Sequence, residues 1–212
     1  MRTLRVDIYS DVVCPWCFVG VRRLERAMAS QGAGDASLRF HPYLLHPDAP
    51  PEGIDLREML ARKYGGDPER MFERVERAAA ESGIALDFSR VSRTYSTVGA
   101  HTLLRHAASR RTQPALAGAL HSAYFLEGHN VADPAVLVEL AAAHGFTSAD
   151  AEQLLADEAE RLQTVDDARQ AARLGIRGVP FFLFDERYAL SGAQPPEVFE
   201  RAIAAARTGE QA

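Results

Sequence analysis

The chain of 212 residues is poor in thiols, poor in lysine and without any long apolar run. Cys14 and Cys17 are its only cysteines, so no disulfide framework can be built. None is needed, because a chain of this length with 47% hydrophobic residues can bury a full core as one large domain or a domain with an insertion. Lys63 is the single lysine among scattered arginines, and a net charge of −5 gives no electrostatic reason to expect a nucleic-acid partner. No apolar stretch approaches the ~20 residues of a membrane-spanning helix. The opening MRTLRVDIYS alternates and carries Arg2, Arg5 and Asp7, which is unlike the apolar segment of a secretion signal. A cytoplasmic location without a membrane partner is therefore expected. No 20 to 50-residue period repeats and no low-complexity linker interrupts the chain.

What is present is a close cysteine pair in YSDVVCPWCFVG, directly after a strand-like run over residues 4–10. Three uses compete for such a pair. As a staple, a four-residue loop removes only ~2 kcal/mol of unfolded-state entropy. As half of a zinc site it lacks a second CxxC, and no histidine pair stands near another thiolate, so no metal is expected. As a redox dithiol it is well placed in a reducing compartment. From Pro15 the residues Val19, Leu24, Ala27 and Met28 take up helical spacing, and proline suits a first helical position. Cys14 then sits at the helix N-terminus, where free amides and the helix dipole favour thiolate. Cys17, one turn on, can attack a mixed disulfide formed on Cys14. Trp16 between them serves either partner contact or packing.

A second cluster, ARLGIRGVPFFLFDERYALSG, reads as a helix ending at Gly175, a turn at Gly178, a strand Phe181 to Phe184, a turn at Asp185-Glu186 and a strand Tyr188 to Leu190. Pro180 heads the first strand, where it cannot donate to a ladder; X-Pro bonds are the only ones that become cis at modest cost. Between the clusters the chain reads as helical. One helix starts at the cap Asp67 with the stripe Met71, Phe72, Val75, Ala78 and Ala79 and stops at Gly83. Others run from Val98 to Ala108, Pro114 to Glu127 and Pro134 to His144, and further helices follow Thr147 and Thr164. A second strand is read at Leu38 to Tyr43 and a closing helix at Pro195 to Ala206.

CPWC after the first strand and GVPFF before the hairpin resemble the thioredoxin fold. The segments SDVVCPWCFVG, FHPYLLHPDAP, AHTLL, AYFLEGHNVAD, DDARQAARLGIRGVPFF and LSGAQPPEVF, in that order, resemble the DsbA-like thioredoxin-fold family and its FrnE subgroup, related to 2-hydroxychromene-2-carboxylate isomerase and kappa-class glutathione transferase. The resemblance implies an α/β thioredoxin fold, a central mixed sheet flanked by helices, with a large all-helical insertion. Residues 1–50 and 165–212 would form a discontinuous thioredoxin-like domain and residues 51–164 the insertion. It also implies a cis Val179-Pro180 bond beside the dithiol, with the Val179 backbone pairing an extended substrate, and the roles of attacking Cys14 and resolving Cys17. It puts His101 near the active-site rim, against the alternative of a capping or core histidine. The additional C-terminal cysteines of some relatives are missing, which excludes a second disulfide relay.

The expected site is catalytic Cys14 and Cys17 with substrate contacts from Pro15, Trp16, Phe18, Val179, Pro180 and His101. Phe18, Trp16, Phe181 and Tyr95 are candidates for an apolar shelf around the sulfurs or for the core. Arg105, Arg110 and Arg111 form a small positive run, able to attract a thiol's carboxylate or simply to end a solvated helix. The expected function is thiol-disulfide oxidoreductase, with no metal, flavin or nucleotide required. The partner would be a disulfide- or dithiol-bearing protein or a small thiol such as glutathione, acting on a monomer or homodimer. Two other classes stay open: a glutathione-dependent-type isomerase or polyketide-tailoring enzyme on small aromatic substrates, and a chaperone-like binding module.

Overall fold

The computed structural model describes residues 3–208. The chain opens with β1 (Arg5–Ser10), α1 (Pro15–Ser30) and β2 (Ser37–Pro42). A short strand β3 (Ile54–Asp55) leads into α2 (Leu56–Tyr64) and α3 (Pro68–Glu81). Strand β4 (Arg93–Thr94), which pairs with β3, precedes α4 (Val98–Arg110), α5 (Gln113–Phe125), α6 (Pro134–Ala142), α7 (Ser148–Ala156) and α8 (Glu158–Arg173). The chain returns through β5 (Phe181–Phe184) and β6 (Tyr188–Ser191) to α9 (Pro196–Thr208). The main sheet has the order β2-β1-β5-β6. β1 and β2 are parallel, with Ile8 opposite Phe40; β1 and β5 are antiparallel, with Ile8 opposite Phe182. This is a mixed thioredoxin-type sheet.

Side-chain alternation divides the sheet into two faces. Val6, Ile8, Phe182 and Phe184 are fully buried with Leu24 of α1 and Phe199 and Ile203 of α9. Tyr9 and Phe181 face the other way, toward Ala171 of α8 and Ile176. Helix α1 forms because Cys14 is extended at the N-cap (φ −93°, ψ 111°) and Pro15 starts the first turn. It buries Cys17, Val21, Leu24 and Met28, spaced three or four apart, each apolar side chain contributing about 1.5–3 kcal/mol. It ends where Gly32 takes φ +58° and the Ala33 N–H closes on the Met28 carbonyl at 2.8 Å.

The helices between β2 and β5 do not stand apart from the sheet. Leu56, Phe72, Leu103, Leu116, Leu137 and Ala151 belong to the same apolar cluster as Val6 and Ile8. A helix expected after Thr164 starts earlier, at Glu158, because the Asp157 carboxylate accepts from the N–H groups of Ala159 and Glu160 and caps it there. Thr164 is an interior, fully buried residue of α8, so position 164 does not coincide with the end of an element. Among the described residues no helix is long and apolar enough to cross a membrane.

Candidate active site

The loop from β1 to α1 is short, and its backbone is pinned before either sulfur is placed. The Cys14 N–H donates to the Asp11 carbonyl at 3.1 Å, and the Cys17 N–H to the Cys14 carbonyl at 3.0 Å. Both thiols are free, Cys14 at 6% exposure and Cys17 at 0%. The Cys14 thiol makes no capping hydrogen bond to its own helix; it is directed at the Val179 carbonyl, 3.8 Å away. Cys14 therefore stands at the helix N-terminus, with its thiol directed across to the opposite loop rather than onto the helix amides. Burial pushes the Cys17 thiol well above its usual range, and the hydrogen bond with Cys14 pushes it further. The Ser10 hydroxyl and the Asp11 backbone act in the opposite direction with less effect.

The Val179-Pro180 bond is cis. The Pro180 carbonyl accepts from the Gly192 N–H at 2.8 Å, fixing the loop to the end of β6. Helix α1 approaches it closely: a Cβ at Gly20 would lie 3.0 Å from Pro180 Cγ and 3.1 Å from the Phe182 ring. Glycine at position 20 is what allows the dithiol helix and the proline loop to meet.

Behind the dithiol loop lies a carboxylate that the sequence reading did not single out. Asp11 is fully buried, accepting from Thr97 Oγ1 at 2.7 Å and from the Leu45 N–H at 2.7 Å. His101 Nε2 is 3.5 Å from Asp11 Oδ1, and His121 Nε2 is 3.4 Å from the Asp11 carbonyl. Burial raises the Asp11 carboxyl, but His101, the Leu45 N–H and Thr97 together hold it below the ordinary range. Burial lowers His121 to about 4. The signal available in sequence was a charged residue between the apolar strand and the first cysteine.

A cavity of about 680 Å³ opens beside Cys14. Val13, Pro15, Trp16 and Val179 line it near the sulfur, and α2 and α3 supply its far wall. Several expected contacts lie elsewhere. Phe18 is at 4% exposure and stacks on His121 (ring centroids 5.3 Å apart), because its helical position points it at α5 rather than at the opening. Phe181 packs edge-on to Tyr9, since strand alternation sends it to the α8 face. Tyr95 packs edge-on to Tyr124, near Gly53. His101 is buried beside Asp11 and is not on the rim; Pro180 is buried behind Val179. The arginine run also lies away from the sulfurs. Arg105 is held by Glu160 at 3.0 Å and Asp167 at 2.8 Å, Arg110 lies over the Phe146 ring at 4.0 Å, and Arg111 caps α4 in a left-handed conformation.

Comparison with known proteins agrees with this architecture. The family model described as a DSBA-like thioredoxin domain matches residues 5–204. A crystal structure of a probable DsbA oxidoreductase from Streptomyces coelicolor is 34% identical, with a TM-score of 0.88 over 99% of this chain and 92% of that one. The cytosolic disulfide reductase DsbM from Pseudomonas aeruginosa, solved with glutathione, shares the fold at 20% identity and a TM-score of 0.67, covering 96% and 99%. A 2-hydroxychromene-2-carboxylate isomerase shares it at 15% identity and a TM-score of 0.71, covering 97% and 96%.

Proposed function

The chain belongs to the DSBA-like thioredoxin domain family, and from that premise we propose that it is a thiol-disulfide oxidoreductase in which Cys14 attacks and Cys17 resolves. One observation carries the reading: Cys14 lines the cavity, while Cys17 lies fully buried beneath it, where burial raises its thiol well above the usual range. Only the first sulfur can meet a partner, and only the second is kept in reserve. The Cys14 thiolate attacks one sulfur of a disulfide, forming a mixed disulfide and expelling a thiolate. Cys17 then loses its proton and attacks Cys14, releasing the second thiol. The dithiol gives up two electrons and the partner disulfide gains them; the reverse sequence passes a disulfide on.

Val179 supports the reading from the opposite side. Its carbonyl faces the Cys14 thiol at 3.8 Å, where an extended segment bound through its own sulfur would meet the Val179 backbone. Asp11 and Thr97 are positioning residues, holding the loop from which Cys14 projects. Pro15 and Trp16 contact the bound partner, and His101 acts through Asp11. The partner is a thiol or disulfide compound; glutathione bound to DsbM supports a low-molecular-weight thiol as co-substrate. That relative's cytosolic setting supports the same compartment here.

A redox titration of the dithiol combined with exchange assays tests the assignment. Cys14→Ser should abolish exchange, and Cys17→Ser should retain the first step alone. Equal exchange in both variants and the parent would overturn it. The mainly apolar cavity favours isomerisation of a small aromatic compound as a second reading, and turnover fully retained in Cys17→Ser would support it.

A further inference from the structure

The cavity beside Cys14 has a charge pattern that disulfide exchange alone does not require. Its walls are apolar: Leu56 and Leu60 from α2, Met71 and Val75 from α3, and Phe125 from α5. Its polar lining is one-sided. Lys63, Arg74 and Arg177 all line it, and no aspartate or glutamate is among the described residues that do. This runs against the composition, in which acidic residues outnumber basic ones by 29 to 24.

The three cations are also uncommitted, forming no ion pair among the described residues, whereas neighbouring arginines are taken: Arg57 by Glu69 at 2.7 Å and Arg62 by Glu58 at 2.9 Å. Aromatic rings orient two of them instead. The Arg74 guanidinium lies 5.6 Å from the Trp16 ring centre, and Lys63 Nζ lies 5.3 Å from that of Tyr64. Trp16 is itself between the two cysteines, so the Arg74 charge is placed within one side chain of the dithiol. At about 680 Å³ the space suits a small molecule, for which sites of roughly 300–1,000 Å³ are usual.

Resting on the exchange reading, we infer that this cavity takes a low-molecular-weight disulfide or thiol with an apolar, preferably aromatic, body and a carboxylate. Its sulfur meets Cys14, its body lies against α2 and α3, and its carboxylate lies among Lys63, Arg74 and Arg177. A zwitterion is disfavoured, because its ammonium would meet no carboxylate on the lining. Attack by the Cys14 thiolate forms a Cys14–substrate S–S bond and breaks the substrate's own, releasing one carboxylate-bearing thiolate. Attack by Cys17, after its proton leaves, forms the Cys14–Cys17 bond and releases the second. The dithiol is oxidised by two electrons and the compound reduced by two.

Reduced protein is mixed with 5,5′-dithiobis(2-nitrobenzoate), a dianionic aromatic disulfide, with neutral 4,4′-dithiodipyridine and with glutathione disulfide, each rate being divided by that for free cysteine. The normalised rate should be highest for the dianion. The dianion-to-neutral ratio should fall about tenfold in Lys63→Gln/Arg74→Gln, equivalent to about 1.4 kcal/mol, and fall further in Lys63→Glu. It should survive in Lys63→Arg. Both side chains are exposed, so the substitutions spare the core. A ratio unchanged in the double variant, or a normalised rate for glutathione disulfide equal to that for the dianion, would overturn the proposal. The exchange reading fails separately, if the parent releases only one thionitrobenzoate per chain instead of two.

Discussion

Thr97 Oγ1 donates to Asp11 Oδ1 at 2.7 Å, joining the N-cap residue of α4 to the loop that presents Cys14. Because the same carboxylate also holds the Leu45 N–H, three segments distant in sequence converge on one buried charge. Asp11→Asn should cost about 1–3 kcal/mol, since a neutral amide replaces the charged acceptor that the Leu45 N–H, Thr97 and His101 all serve. Thr97→Val should cost about 1–3 kcal/mol by deleting one donor. Denaturant unfolding measures both, and loss of exchange rate should accompany the first.

His121 makes the fold sensitive to mild acid. Its value in the folded protein is lowered from 6.5 to about 4, chiefly by burial. A depressed histidine means that the unfolded chain binds the proton first. Its contribution is therefore complete above about pH 6.5 and is lost as the pH falls toward 4. The full difference corresponds to about 3 kcal/mol. His121→Phe, which keeps a ring against Phe18, should flatten the loss of stability between about pH 7 and about pH 5.

Two helical glycines should respond oppositely to alanine. At Gly118 a Cβ meets nothing within 4 Å, so Gly118→Ala should stabilise the protein by about 0.5–1 kcal/mol through helix propensity. At Gly20 the same gain is opposed by contacts at 3.0 Å with Pro180 and 3.1 Å with Phe182, an overpacking worth about 1–3 kcal/mol. Gly20→Ala should be destabilising and should slow exchange. Thermal unfolding of the two variants against the parent checks the signs.

His46 reports on the charge at the cavity. Burial lowers it from 6.5, and Lys63 lowers it further, while Asp11 pulls weakly the other way. Lys63→Gln should therefore raise the His46 titration midpoint in part, leaving the larger burial effect in place. A carboxylate bound beside Lys63 should do the same, so binding near pH 6 should take up protons. NMR titration of the ring and calorimetry in two buffers read these effects.

The parts of this architecture visible in sequence are those marked by residues with restricted backbones or distinctive chemistry. Pro15 and the two cysteines set the start of α1, Gly32 its end, and Pro180 the turn into β5. Asp67 and Pro68 set α3 in the same way. Helix α2 is marked in sequence only at its ends, by Asp55 accepting from the Glu58 N–H at 2.8 Å and by Gly65 at φ 68°, while its mostly exposed faces leave no apolar stripe to read. The site was legible along the chain but not across it. Asp11, Thr97 and His121 come together only when α4 and α5 pack behind β1, and Lys63, Arg74 and Arg177 only when α2 and α3 face the proline loop. For the same reason the conspicuous run at Arg105, Arg110 and Arg111 points away: its partners on α7 and α8 lie some forty to sixty residues further along the chain.

The division of labour between the two sulfurs is tested most directly by intact-mass analysis and peptide mapping after reaction with one equivalent of 5,5′-dithiobis(2-nitrobenzoate). Cys17→Ser should accumulate a single adduct on Cys14, while the parent should carry no adduct and be lighter by two hydrogens. A lasting adduct on the parent, or none on Cys17→Ser, would contradict the account.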